Sequence, residues 1–329
     1  MADKFTDKII FVKREAEYGT DSGPTGTDAV RVMDLSVSEY EGPVVERTYE
    51  KPQRGPYSAI NAAPFAQGTF GHEMSGLSAA PTTTVRPAYE ELLIASTLVR
   101  ADVEADTGAS PPVPASINYT PDSGIDVDAY GSASVHYFRG NVRQQILGAR
   151  MSAEFMFNTG ELPKINYSMV GRYATPADAT KLTLDISDYI APFPVNNEST
   201  TIEIGGSSDL KVAAFTVNMN NNPTHDNLIG ADRVLITDSD YAFTLTVEAE
   251  SVSDFDLYQI VENHKGSIPL QTFKLTHQPG DRKIELSGDG MQIKTLPAVS
   301  DRNGLQVYAL SGSLTLEGAS GLPFTLKYL

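Results

Sequence analysis

The sequence predicts a mainly β protein made of two successive β-sandwich or barrel domains, each with one short helix on its outside. Three observations lead there. Turn-forming clusters recur along the chain, the segments between them alternate apolar and polar residues, and both halves follow a similar order of elements. Gly (26 residues) and Pro (20 residues) are plentiful enough to punctuate many short strands. They gather at Gly23-Pro24, Gly42-Pro43, Gly55-Pro56, Pro121-Asp122-Ser123-Gly124, Asn221-Asn222-Pro223, Pro279-Gly280-Asp281 and Asn303-Gly304.

In chain order, residues 30–40 and 67–77 read as strands joined by a long Pro-rich, charged connection over 41–66. Pro87 to Leu98 is expected to be helical. Pro87 suits a helix start, Glu90 and Glu91 suit the positive end, and Leu92, Ile94, Ala95 and Leu98 recur at helical spacing. Residues 125–173 are rich in strands. Met151, Ala153, Phe155 and Phe157 alternate with Ser152 and Glu154, and Ile165, Tyr167 and Met169 alternate with Asn166 and Ser168. The intervening Asn158-Thr159-Gly160-Glu161-Leu162-Pro163 predicts a hairpin. Ala177 to Ser208 forms the junction, with Leu182 to Ile186 expected to add a strand.

The second half repeats the order as 209–219, a connection at 220–238, 240–250, a helix and then 268–318. Tyr241, Phe243, Leu245, Val247 and Ala249 share one face of a strand. Ser253 to Asn263 is the second expected helix, with Ser253 as cap and Asp254 and Asp256 at its positive end. Asn303-Gly304 is the strongest two-residue hairpin signal in the chain. Identity between the halves is slight, so the repeat rests on element order. It divides the chain into domains 1–180 and 181–329.

Composition narrows function by exclusion. With no cysteine there is no disulfide framework and no thiolate metal site. The opening Met1 to Lys8 lacks the apolar core of a signal peptide, and no apolar run approaches the roughly 18 residues of a membrane span. The sequons at Asn118, Asn166 and Asn197 therefore read as chance matches. A net charge of −17 repels phosphate and argues against conventional nucleic-acid binding. Solubility explains that charge simply; a surface that stays near a polyanion without adhering explains it more specifically.

No catalytic constellation emerges. His72, His136, His225, His264 and His277 show neither HxH nor HExxH spacing, and no phosphate loop or nucleophile elbow is present. Asp122-Ser123-Gly124-Ile125-Asp126-Val127-Asp128 offers carboxylates in a turn but lacks EF-hand spacing, so a structural turn is favoured over a Ca²⁺ site. The expectation is a non-enzymatic protein with no catalytic, cofactor or metal residues.

The run Gly148-Ala149-Arg150, strand 151–157, Gly160-Glu161-Leu162-Pro163 and a strand reaching Gly171 resembles the tail tube proteins of long-tailed bacteriophages. Glu17-Tyr18-Gly19-Thr20-Asp21 is similar to the opening of many of them. Gly148 would permit a tight turn between long strands, Leu162-Pro163 would stiffen the hairpin, and Gly171 would mark a bend or close approach. The resemblance implies that each tube-like domain gives strands to a barrel shared around a ring, with the short helix outside. It implies a long loop, here about 42–68, reaching the adjacent ring through Tyr49, Tyr57, Ile60 and Phe65. Partners so implied are further copies in stacked rings, a tape measure protein and a tail terminator, with DNA passing through an electronegative lumen without specific binding. A duplicated chain favours rings of three chains with pseudo-sixfold symmetry over rings of six. The expected location is the virion tail, after assembly in the bacterial host cytoplasm. The rival reading is another virion β-protein, a decoration or adhesin subunit with a ligand surface.

Overall fold

The computed structural model describes residues 8–109, 112–122, 124, 126, 130–253, 255–262, 264, 266, 268–278 and 282–329. The first half runs β1 (Lys8–Arg14), β2 (Ala29–Val30), β3 (Met33–Glu41), a ribbon of β4 (Val44–Val45) and β5 (Ile60–Asn61), then β6 (Phe65–Glu73) and α1 (Glu90–Ala95). It continues through β7 (Leu98–Val103), β8 (Ser116–Pro121), β9 (Ala133–Arg139), β10 (Val142–Asn158), β11 (Lys164–Tyr173) and β12 (Ala177–Asp178). The second half runs β13 (Thr200–Ile204), β14 (Val212–Asn218), a hairpin of β15 (Thr224–Leu228) and β16 (Ala231–Leu235), β17 (Ala242–Glu248) and α2 (Leu257–Val261). It ends with β18 (Gln271–His277), β19 (Ile284–Ile293), β20 (Ser300–Arg302), β21 (Leu305–Leu314) and β22 (Thr325–Tyr328). The protein is mainly β, as the alternating segments require.

Strand pairing turns the weak repeat of element order into a repeat of topology. In the first half the antiparallel row is β3–β6–β11–β10. In the second it is β14–β17–β21–β19. Each row's first strand leads into a projecting ribbon, and each second strand leads toward a short helix. Even an irregularity recurs: register shifts between Met33 and Ser36 against β6, and between Val212 and Ala214 against β17. The rows join edge to edge where Glu154–Asn158 of β10 pairs with Ala214–Asn218 of β14.

A second layer covers the inner face of this sheet, in the order β7–β8–β22–β19–β18–β13. Strand β19 belongs to both layers: Ile284–Ser287 pairs with β22, and Met291–Ile293 with β21. Aromatic side chains fill the space between. Phe155 meets Phe324 at 5.8 Å between ring centroids, and Phe215 meets Phe273 at 5.4 Å. Followed from strand to strand, the pairings never return to their start among the described residues. The single chain is an open sandwich, and not a closed barrel.

Several expectations need correction. Gly68 and Phe65 belong to β6, so the long connection ends near residue 64. Helix α1 occupies only the centre of Pro87–Leu98, because Thr97 takes a left-handed φ of 67° and Leu98 starts β7. Helix α2 is capped by Asp256, whose carboxylate accepts from the Gln259 amide at 3.0 Å, and not by Ser253. Leu182–Ile186 forms no strand; Asp185 donates its amide to the Gly26 carbonyl at 3.0 Å as an isolated contact. Ser123, Ile125, Val127 and Asp128 of the acidic turn at 122–128, Asp254 and Asn263 at the second helix, and Pro279-Gly280-Asp281 lie outside the described residues.

Asn303-Gly304 is the two-residue hairpin its sequence announces, with positive φ at both positions (55° and 83°) between Arg302 and Leu305. At Asn221-Asn222-Pro223, Asn221 is fully buried. Its amide donates to the Ser96 and Met151 carbonyls, and its carbonyl accepts from Ser239.

His72 lies buried between the rings of Tyr89 and Tyr189, its Nδ1 on the Arg31 carbonyl at 2.6 Å. Burial lowers its pKa to about 4, with the nearby Arg31 charge acting in the same direction. The unfolded chain therefore binds a proton at His72 that the fold refuses between pH 6.5 and about 4. Stability is full above pH 6.5 and is lost as pH falls through that window, by roughly 3 kcal/mol from this residue. Chemical denaturation across this range should show a shallower pH dependence for His72→Phe than for the unaltered chain.

Candidate functional site

The elements singled out by sequence converge on one bulge. Gly148 lies inside β10 with φ of +59°, where the ladder shifts register against both β9 and β11. It is a bulge within one 17-residue strand, and not a turn between two strands. A Cβ there would meet the Tyr18 ring at 2.7 Å, so only glycine fits. The Glu15 carboxylate accepts from the Gly148 amide (2.8 Å), the Gly19 amide (2.7 Å), Ser132 Oγ (2.7 Å) and Ser134 Oγ (2.9 Å). Nothing in the sequence marked Glu15, which precedes the Tyr18-Gly19 motif by three residues.

Arg150, also fully buried, extends from the same bulge. Its guanidinium lies 5.1 Å from the Tyr18 ring centroid and 5.6 Å from that of Tyr130, and donates to the Val234 carbonyl at 2.8 Å. Burial raises the Tyr18 pKa, although the Val234 amide bond and Arg150 act the other way. Beyond the bulge β10 leaves β9 and takes β14 as its neighbour. Gly171 sits across from it in β11, where a Cβ would collide with Ile146, so the close approach is within the chain. Pro163 ends the hairpin loop, buried, with its carbonyl accepting from the Met74 amide at 2.8 Å.

Two ribbons project with apolar tips. On β4–β5, Val44, Val45, Tyr49, Tyr57 and Ile60 are all exposed, Tyr49 by 62%. Tyr49 and Tyr57 rest edge to face at 5.5 Å, and Lys51 Nζ lies 4.3 Å over the Tyr57 ring. Phe65 separates from this group, packing at the ribbon's base on the His225 ring at 5.2 Å. The second ribbon, β15–β16, falls within the expected connection 220–238, and its turn leaves Leu228 exposed and Ile229 wholly so. Near that turn Asp232 ties the ribbon down, accepting from His225 (2.7 Å) and from Arg172 of β11 (3.0 Å). Burial pushes the Asp232 pKa up, but these bonds outweigh it and leave the carboxyl below its usual value. Ile229-Gly230 beside polar turn residues was the available signal.

The outer face of the eight-strand sheet is polar. Transverse rows read Ser36–Thr69–Ser168–Ser152 and Thr216–Thr244–Ser311. Between them Glu154 lies beside Asn166 and Asn218, whose amides it accepts at 3.1 and 3.5 Å. Of the remaining histidines, His136 Nε2 lies 2.9 Å from Asp21, and His277 Nδ1 lies 2.8 Å from Thr200 Oγ1. Among the described residues no group of three His, Asp or Glu side chains is placed to hold a metal ion. The arrangement offers surfaces for assembly: apolar ribbon tips, a hydroxyl-rich face and open strand edges.

The family model described as phage tail tube protein matches residues 6–321. No curated protein matches the chain.

Gly148→Ala should destabilise the fold by about 1–2 kcal/mol from the left-handed backbone alone, and by more once Tyr18 is displaced. Glu15→Ala leaves buried amides and hydroxyls without their acceptor, and should cost about 3 kcal/mol or more. Denaturant midpoints of the two variants check both.

Proposed function

The chain belongs to the phage tail tube protein family, and from that premise we propose how it builds the tube. Tail tube proteins are structural subunits of the virion tail that self-assemble into stacked rings, which argues against an enzyme. Each chain supplies two tube-like repeats, residues 1–180 and 181–329, so three chains make a ring with pseudo-sixfold symmetry. The observation that carries this reading is the recurrence of one strand order on both sides of the β10–β14 join.

The polar face lines the lumen. Serine, threonine and asparagine offer DNA only weak, exchangeable hydrogen bonds, and Glu154 among them repels phosphate, so the polymer slides without adhering. The overall charge of −17 adds to that repulsion. Helices α1 and α2 lie on the other side, outside the tube. The β4–β5 ribbon is the inter-ring loop, with Tyr49, Tyr57 and Ile60 buried against the next ring. Exposed together, they would otherwise form an apolar patch in water. Tape measure and tail terminator proteins meet the tube inside and at its end, after assembly in the host cytoplasm.

Negative-stain imaging of the concentrated protein tests the reading. Hollow tubes of stacked rings are expected, and monomers that persist while binding a ligand would overturn it. The triple substitution Tyr49→Ser, Tyr57→Ser and Ile60→Ser should leave a soluble, folded chain and shorten or abolish tubes.

A further inference from the structure

The internal repeat supplies a template for the contact between copies. Inside the chain, the outer edge of the first row (β10) is covered by the first strand of the second row (β14). Two equivalent edges stay open among the described residues. One is the outer edge of β3, which pairs only with β6, and the other is β20, which pairs only with β21. We infer that β20 of one copy pairs antiparallel with β3 of the next, repeating in trans the β10–β14 ladder. This rests on the ring reading above and adds to it the edges and their register.

The register follows from equivalent positions. Ser36 faces Thr69 as Ala214 faces Thr246, each just past the shared irregularity, so Ser38 corresponds to Thr216. Ser168 faces Thr69 as Ala309 faces Thr246, so four residues earlier Lys164 corresponds to Leu305. Lys164 pairs with Met156 and Leu305 pairs with Arg302, which makes Arg302 the counterpart of Met156. Met156 is opposite Thr216. Arg302 therefore falls opposite Ser38 of the next copy, and Ser300 opposite the region of Glu41.

The two edges are chemically matched. All three residues of β20 are exposed, and Val299 and Leu305 beside them are exposed apolar groups. On β3, Tyr40 is 47% exposed, and Glu41, whose carboxylate accepts from Ser38 Oγ, lies beside the position that Arg302 takes, while Glu39 is paired with Arg139 of its own chain. The seam differs from its template in one respect. Strand β10 pairs with β14 as far as Asn158, whereas β20 ends at Arg302, the counterpart of Met156, so the ladder between copies is shorter than the one within a chain.

The absence of native cysteine allows a clean test. Directly opposed residues of antiparallel strands lie about 4.5–5.5 Å apart between Cα atoms, within disulfide range. Ser38→Cys with Arg302→Cys in the full chain, oxidised after assembly and run on a non-reducing gel beside imaging of the same sample, should move most of the monomer band into dimers and trimers. Neither single variant should form that ladder. Ser300→Cys with Glu41→Cys is the second pair, in case the first disturbs folding or the register differs by a step. A ladder from either pair supports the seam, and its upper limit reads the number of copies in the ring. Tubes in which neither pair cross-links would overturn the seam while leaving the tube reading intact. Failure of the unaltered chain to form tubes would overturn both.

Discussion

One buried carboxylate and one bulge hold the arrangement together. Strand β10 must serve β9 over its first half and β14 over its second, and a regular strand would keep a single neighbour. The extra residue at Gly148 rotates the strand, and Glu15 fixes that rotation by accepting the bulge amide together with three donors around it. Arg150 then occupies the space opened where β10 changes partner, with the Tyr18 and Tyr130 rings against its guanidinium. The N-terminal segment is therefore a brace on the joint between the two rows. Its exchange for a looser loop would leave the joint without a fixed angle.

From that joint the rest of the architecture follows. Because β14 continues the row that β10 ends, eight strands share one sheet, with one face apolar and one face polar. The apolar face is buried under the second layer and α1, through Phe155, Phe215 and Leu92. The polar face is left to water. Both repeats place a glycine at the same transverse level: Gly171 packs on Ile146, and Gly312 has the Gln292 carbonyl where a Cβ would stand. These glycines let neighbouring strands approach closely.

How much of this was legible in the sequence depended on the range of the interaction. Local signals read well. Asn303-Gly304 formed its hairpin, the 151–173 hairpin formed in register, and Phe243, Leu245 and Val247 turned inward together. Signals settled by distant partners did not. Glu15 looks like any surface acid until Ser132, Ser134 and Gly148 come to it from more than a hundred residues away. Gly148 reads as a turn because strand length is set by partners, and Phe65 reads as a loop residue because His225 is remote in sequence. Leu182 to Ile186 has strand composition but no neighbour to pair with, so composition alone misled. The repeat was visible only as an order of elements, since the same backbone pattern is met by different side chains on each side.

We propose that one chain does the work of two tube domains, so that three chains close a ring. Mass measurement of isolated single rings tests it most directly. A mass of three chains is expected, with threefold symmetry in end-on images modulated by a weaker sixfold pattern. Rings of six chains with true sixfold symmetry would contradict it.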